Sequence, residues 1–181
     1  MTDHEQIVRD LTTRVRDVPD FPKPGILFKD ITPILQDPAS FQACMQLFSE
    51  RYRDVAIDAF SGIESRGFIF GTALAKELDK GFIPIRKPGK LPYETFDVTY
   101  DLEYGTDTLE IHKDAVTEGQ KVLLVDDLLA TGGTMNACVK LVKELGADIV
   151  GAQFIIELSF LNGKNLLSPI DCRSLIEYGA E

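Results

Sequence analysis

Residues 122–135 read VLLVDDLLATGGTM, an apolar run, two adjacent acids, then a string of small and hydroxyl residues. Val122 to Val125 has the length and branching of a buried strand, and the small residues after Leu129 are too poor in side chain to continue one. A helical period takes over at Gly133. The expected unit is a strand over Lys121–Val125, a loop, and a helix over Gly133–Leu145. Such a junction points several backbone N–H groups at a helix start, where orphan donors and the helix dipole favour an anion. Gly132 and Gly133 let a phosphate approach the backbone, and Thr131 and Thr134 add hydroxyl donors.

Asp126 and Asp127 stand at the mouth of this loop, in a chain whose formal net charge is already -10. Taken alone they read as caps, and the glycines as a turn. The spacing GxxxxGK[ST] and its lysine are missing, so this is not the loop of a nucleoside-triphosphate site. A dinucleotide site would carry GxGxxG and place its acid about twenty residues further on. Here the acids directly precede the loop, which suits a ligand whose phosphate and sugar hydroxyls are close neighbours. Carboxylates accept from the hydroxyls while the loop donates to the phosphate. A ribose 5-phosphate has that shape. At the end of a regular strand two consecutive residues face opposite ways, so at least one of the two acids is expected past the strand.

The rest of the chain supplies the frame. Its 181 residues fit one domain, with 44% hydrophobic and 27% charged residues. An acidic balance argues against nucleic acid and anionic membrane surfaces as partners. No run approaches the roughly 18 apolar residues of a membrane span, and the N-terminus lacks a signal core, so a cytoplasmic protein is expected. Cys44, Cys138 and Cys172 are widely spaced, odd in number and without a CxxC pair, as reduced structural thiols are.

Ile7, Leu11 and Val15 predict a first helix to about Arg16. Residues 17–35 hold Pro19, Pro22, Pro24, Gly25 and Pro33 and are expected to be ordered but not helical. Asp37 and Pro38 open a helix to about Tyr52. Strands near Ala56–Ile63, Phe82–Ile85, Thr108–His112, Lys121–Val125 and Ile149–Glu157, alternating with helices at Gly67–Leu78 and Gly133–Leu145, predict an α/β fold. Its sheet should be mostly parallel and covered by helices on both faces. Phe68, Phe70 and Leu74 are assigned to the core. Residues 84–106 form one long irregular loop, of the kind that more often works than fills space.

At VLLVDDLLATGGT the chain resembles the phosphoribosyl-diphosphate signature of the type I phosphoribosyltransferases. DFPKPGILFKDITPIL, GIESRGFIFG, IRKPGKLPYET and YDLEYGTDTLEIHKDA are similar, in the same order, to blocks of the members of that family that use adenine. The resemblance implies a single phosphoribosyltransferase domain over 1–181, with a hood at 17–35, a flexible catalytic loop at 84–106 and a phosphoribosyl loop at 126–134. It implies the exchange of pyrophosphate for adenine on phosphoribosyl diphosphate, giving AMP, through an oxocarbenium-like transition state. Asp126 and Asp127 would grip the ribose, and Ala130, Thr131, Gly132, Gly133 and Thr134 the 5′-phosphate. Arg66, Arg86, Lys87, Lys90 and Tyr104 would meet the diphosphate, with Tyr93 and Thr95 closing over it, and Mg²⁺ would arrive on the diphosphate rather than in a carboxylate cage.

Glu103 would handle the proton at the purine, while Phe28 stacks on the base and backbone near Ile26 reads its edge. Members that act on 6-oxopurines place a lysine near the carbonyl after the phosphate loop, whereas here GAQFIIELSFLNG offers none before Lys164. A homodimer is implied. Another purine base as substrate, or a non-catalytic sensor of phosphoribosyl diphosphate, are the other readings the same loop allows. His4 and His112 lack metal-ligand company and are read as surface residues.

Overall fold

A computed structural model describes residues 3–101 and 105–180 of the chain. Helix α1 (Asp3–Arg14) stops two residues short of Arg16, because Arg16 already pairs with Asp30 in a two-stranded antiparallel hairpin of β1 (Arg16–Pro19) and β2 (Leu27–Asp30). The proline-rich segment is not free of helix, as expected, but carries α2 (Thr32–Gln36). Pro33 lies in the first turn of α2, where its missing N–H would have had no partner in any case. Asp37 then caps α3 (Pro38–Tyr52), its carboxylate accepting from the Ser40 amide at 3.0 Å.

From there strand and helix alternate except for four successive strands, β4 to β7: β3 (Ala59–Ile63), α4 (Arg66–Glu77), β4 (Gly81–Ile85), β5 (Thr95–Asp101), β6 (Thr106–His112), β7 (Lys121–Leu129), α5 (Gly133–Glu144), β8 (Asp148–Leu158), α6 (Gly163–Leu167) and β9 (Cys172–Tyr178). Five of the strands form one sheet in the order β4-β3-β7-β8-β9, every neighbouring pair parallel. Central strand β7 shows why both faces need cover. Val122 and Leu124 enter one apolar cluster with Leu141 and Val142 of α5, while Leu123 and Val125 enter the other with Phe48 of α3 and Phe70 and Leu74 of α4. Phe68 is half-buried rather than core and meets the Phe82 ring edge-on at 5.6 Å.

The span 84–106 is not one irregular loop. Its second half is β5, paired along its length with β6 as a separate antiparallel ribbon, from Thr95↔His112 to Asp101↔Thr106. Thr95, Phe96, Val98, Thr99 and Tyr100 are the β-branched and aromatic residues that favour strands. The prolines and glycine just upstream hid that signal. An isolated bridge, Arg86↔Glu110, ties the ribbon to the end of β4. The close approach of α4 to the sheet depends on glycine: a β-carbon on Gly71 would come within 2.7 Å of the Phe82 ring, and one on Gly62 within 2.7 Å of the Gly67 carbonyl.

Phe70 is fully buried and lies 5.8 Å from the Phe41 ring between α3 and α4. Truncating it to alanine should cost about 3–5 kcal/mol, read as a lower urea midpoint with an unchanged slope. A loss below about 1 kcal/mol would mean that this face of the sheet does not pack as described.

Candidate active site

The carboxyl ends of β3 and β7 open into a cavity of about 380 Å³, the usual place for a ligand on a parallel sheet. Its walls come from residues 63–66, from Lys87, from Tyr100, Asp107 and Leu109 of the ribbon, and from residues 126–135. β3 pairs with β7 only as far as Gly62↔Val125, whereas β7 continues beside β8 to Leu129↔Glu157. Beyond Val125 one edge of β7 therefore has no strand against it among the described residues.

Both acids lie within β7, which corrects the expectation that one would fall past the strand. The loss of β3 as a neighbour lets both line the same cavity. Asp127 is buried and accepts from Arg66 Nε, and its own amide donates to Asp126 Oδ1 at 2.9 Å. Burial, and then the adjacent Asp127 charge, push the Asp126 carboxyl well above the usual aspartate value. Gly67 admits this arrangement, since a β-carbon there would lie 2.7 Å from the Val125 carbonyl and 3.1 Å from Asp126 Oδ1.

The small-residue turn follows immediately. Gly132 has φ +85°, a left-handed conformation that only glycine adopts at little cost, and α5 begins at the next residue. The first amides of α5 have no partner inside their own helix and face the cavity together with Thr131 and Thr134. Beside them the Tyr100 hydroxyl donates to Asp107 Oδ2 at 3.3 Å, and burial raises its pKa above the ordinary tyrosine value.

The predicted cations are all present and all engaged. Arg66 opens α4, pairs with Asp127 and lies 5.6 Å from the centre of the Phe28 ring. Lys87 pairs with Asp107, and its backbone amide donates to Glu64 at 3.2 Å. Arg86 and Lys90 both reach Glu64, at 3.3 and 2.5 Å. Lys87 and Arg66 thus share the cavity with the acids and the turn, while Arg86 and Lys90 stand behind Glu64. Phe28 is not among the residues that line the cavity; its ring meets Phe21 edge-on at 5.1 Å and touches the site only through Arg66, and Ile26 is exposed in the hairpin turn. Thr95 lies in β5, and Tyr93 packs against His112 at 6.1 Å, outside the cavity wall. Glu103 and Tyr104 lie outside the described residues.

Glu64, Asp107 and Tyr100 line the cavity without having been picked out in the sequence. Glu64 carried a faint signal, sitting two residues before Arg66 at a strand end. Asp107 and Tyr100 reach the site only through the β5–β6 pairing. Among the described residues no group of three or more His, Cys, Asp or Glu side chains is arranged to hold a metal ion.

A glycine turn that opens a helix, two adjacent carboxylates on the strand before it and an arginine paired with one of them meet in one cavity, the arrangement the sequence leads one to expect of a site for a phosphorylated sugar. Residues 30–161 match the phosphoribosyl transferase domain, and the chain belongs to that family. Among its relatives is the adenine phosphoribosyltransferase of Solibacter usitatus, 55% identical over 93% of this chain and 98% of the relative. The crystal structure of adenine phosphoribosyltransferase from Thermoanaerobacter pseudethanolicus superposes with a TM-score of 0.92 at 50% identity, covering 94% of this chain and 99% of that one. The Saccharomyces cerevisiae enzyme, solved with an imino-altritol bisphosphate and adenine, gives 0.89 at 42% identity over 94% and 99% of the two chains.

Hydrogen bonding from Lys90, with help from the Lys87 amide and Arg86, pulls the Glu64 carboxyl from 4.5 down to about 2. A carboxyl depressed by folding adds stability in full above its unfolded value and loses it as pH falls through the folded one. The difference in unfolding free energy between wild type and Glu64→Gln should therefore shrink as pH drops from 4.5 to about 2. A difference that stays flat across that window would show that Glu64 does not hold these cations.

Proposed function

We propose that this chain transfers the 5-phosphoribosyl group of phosphoribosyl diphosphate to adenine, giving AMP and pyrophosphate, as a step of purine salvage. The observation that carries this reading is the meeting of Asp126, Asp127 and the Thr131–Thr134 turn in one cavity, on consecutive residues of one strand-turn-helix unit. Ribose hydroxyls donate to the two carboxylates while the turn's amides and hydroxyls hold the 5′-phosphate. The sugar is then fixed with its anomeric carbon toward the Arg66 and Lys87 side of the cavity. As the bond to pyrophosphate lengthens, positive charge grows on the ribose, and the neighbouring carboxylates favour it. Arg66 and Lys87, with Arg86 and Lys90 from behind Glu64, meet the negative charge that departs.

The base enters from the hairpin side, with Phe28 as its stacking face and backbone near Ile26 reading its edge. Arg66 lies close to both Phe28 and Asp127, so one side chain links the base side of the site to the sugar side. Glu103 shares the purine proton as N9 attacks, and Tyr104 closes over the diphosphate. Both roles rest on the resemblance of YDLEYG to the family's catalytic loop. Mg²⁺ on the diphosphate neutralises part of the leaving group's charge. Asp126 and Asp127 offer the one or two protein oxygens such an ion needs when phosphates and water complete its shell.

We read residues 1–181 as one working unit, with its hood at 17–35, a catalytic segment over 84–106 whose second half is β5, and its phosphoribosyl loop at 126–134, acting as a cytoplasmic homodimer. No helix among the described residues is long and apolar enough to cross a membrane.

The test is formation of AMP from adenine and phosphoribosyl diphosphate, with hypoxanthine, guanine and orotate run in parallel. Turnover with adenine alone is expected, lost on chelating Mg²⁺ and reduced about 10²-fold or more in Glu103→Ala. Asp127→Asn should lose ribose affinity as well. Preference for another base would overturn the assignment of the hairpin. Tight binding of phosphoribosyl diphosphate without turnover on any base would make the chain a sensor.

A further inference from the structure

Glu157 carries a full carboxylate into the protein with only 4% of its surface exposed. It lies on β8 directly beside Leu129 of β7, the residue before the phosphate turn begins. Its Oε2 takes Lys164 Nζ at 2.5 Å and accepts from Ser174 Oγ of β9 at 2.9 Å. The pair is buried on the Glu157 side only, the Lys164 side chain being 42% exposed, and an ion pair with a buried member is weak evidence for stability because desolvation offsets much of the attraction. Its better attested use is to fix one element against another.

The element fixed here is α6, whose five residues are too few to hold a helix by propensity alone. Its first residue, Gly163, is packed against the turn so tightly that neither partner has room for a side chain. A β-carbon on Gly163 would lie 2.2 Å from the Ala130 carbonyl and 3.0 Å from the Gly132 nitrogen, and one on Gly132 would lie 2.6 Å from the Gly163 carbonyl. The backbone of α6 is thus the floor on which the turn rests. Lys164, the neighbour of Gly163, is the residue that ties that floor to the sheet, and it takes no part in the cavity wall.

We propose that Glu157 and Lys164 are positioning residues for the 5′-phosphate: their ion pair clamps α6 beneath residues 130–132 and so sets the spacing of the amides that hold the phosphate. The inference rests on the reading of that turn as the phosphate site. Removing the clamp should weaken ligands that place a phosphate in the turn and spare pyrophosphate, which is held by Arg66 and Lys87 on the other side of the cavity.

Calorimetric titration of AMP and of pyrophosphate into wild type, Glu157→Gln, Lys164→Met and Lys164→Arg tests this. Both neutralising variants should bind AMP about tenfold more weakly with pyrophosphate affinity within about twofold, and Lys164→Arg should recover most of the AMP affinity. Where a single variant leaves a buried charge unpaired and fails to fold, the double variant Glu157→Gln/Lys164→Met leaves none and must still show the AMP-selective loss. Unchanged AMP affinity in folded variants, or equal losses for both ligands, overturns the clamp. A wild-type protein that does not bind AMP overturns the phosphate reading itself, and the clamp with it.

Discussion

Strand β7 outruns its neighbour β3, and the site depends on that mismatch. Had β3 continued alongside residues 126–129, the edge of β7 that opens to the cavity would have been closed by a backbone ladder, and Asp126 and Asp127 would have been separated onto opposite sheet faces. Because pairing with β3 stops at Val125, the last part of β7 keeps only β8 beside it and both acids reach one cavity. The space left by β3 is taken by the N-terminus of α4, whose Gly67 lets it come close to the strand and whose Arg66 supplies the counter-charge to Asp127. The meeting of the two acids, the turn that follows them and the Arg66 counter-charge in one cavity follows from where one strand stops.

The second feature of the site is that it is already electrically paired. Among the described residues four carboxylates, Glu64, Asp107, Asp126 and Asp127, line the cavity, and only Arg66 and Lys87 there are basic. Each basic side chain of the group has a carboxylate of the site as its partner. Under the proposed function a diphosphate would enter by exchange, taking cations from acids rather than finding them idle. Such an exchange costs little net charge separation when a divalent cation arrives with the ligand, and it keeps an otherwise acidic protein from gathering unrelated anions.

What was legible in the sequence was what is local along the chain. The phosphate turn, its acids, the strand before it and the helix after it lie within one short stretch, and their order alone fixes their geometry. The central strands and the Asp37 cap were readable for the same reason. Glu64, Asp107 and Tyr100 were not, since their meeting depends on the β5–β6 ribbon folding back against the ends of β3 and β7, a long-range event without a local signature. The placement of both acids within the strand was not legible, because where β3 stops, and so which sides of β7 the cavity reaches, is a long-range feature. Pro33 was read as a helix breaker although the first turn tolerates it, and the prolines and glycine of residues 84–92 masked the strand that follows. β9 and α6 went unclaimed because short segments after β8 carry too few residues for a period to show.

The hairpin of β1 and β2 has one more attachment, with a consequence for how the protein is made. Lys29 is buried, bonds Asp17 at 2.6 Å, and places its ammonium 4.3 Å from the ring centre of Tyr178 in β9. On the ribosome Lys29 emerges early and Tyr178 only after β9, the strand that completes the sheet, has been translated. Until then the hairpin lacks this aromatic contact with the sheet, and Phe28, the residue before Lys29, is held without it; the join between the first hairpin and the last strand waits for nearly the whole chain.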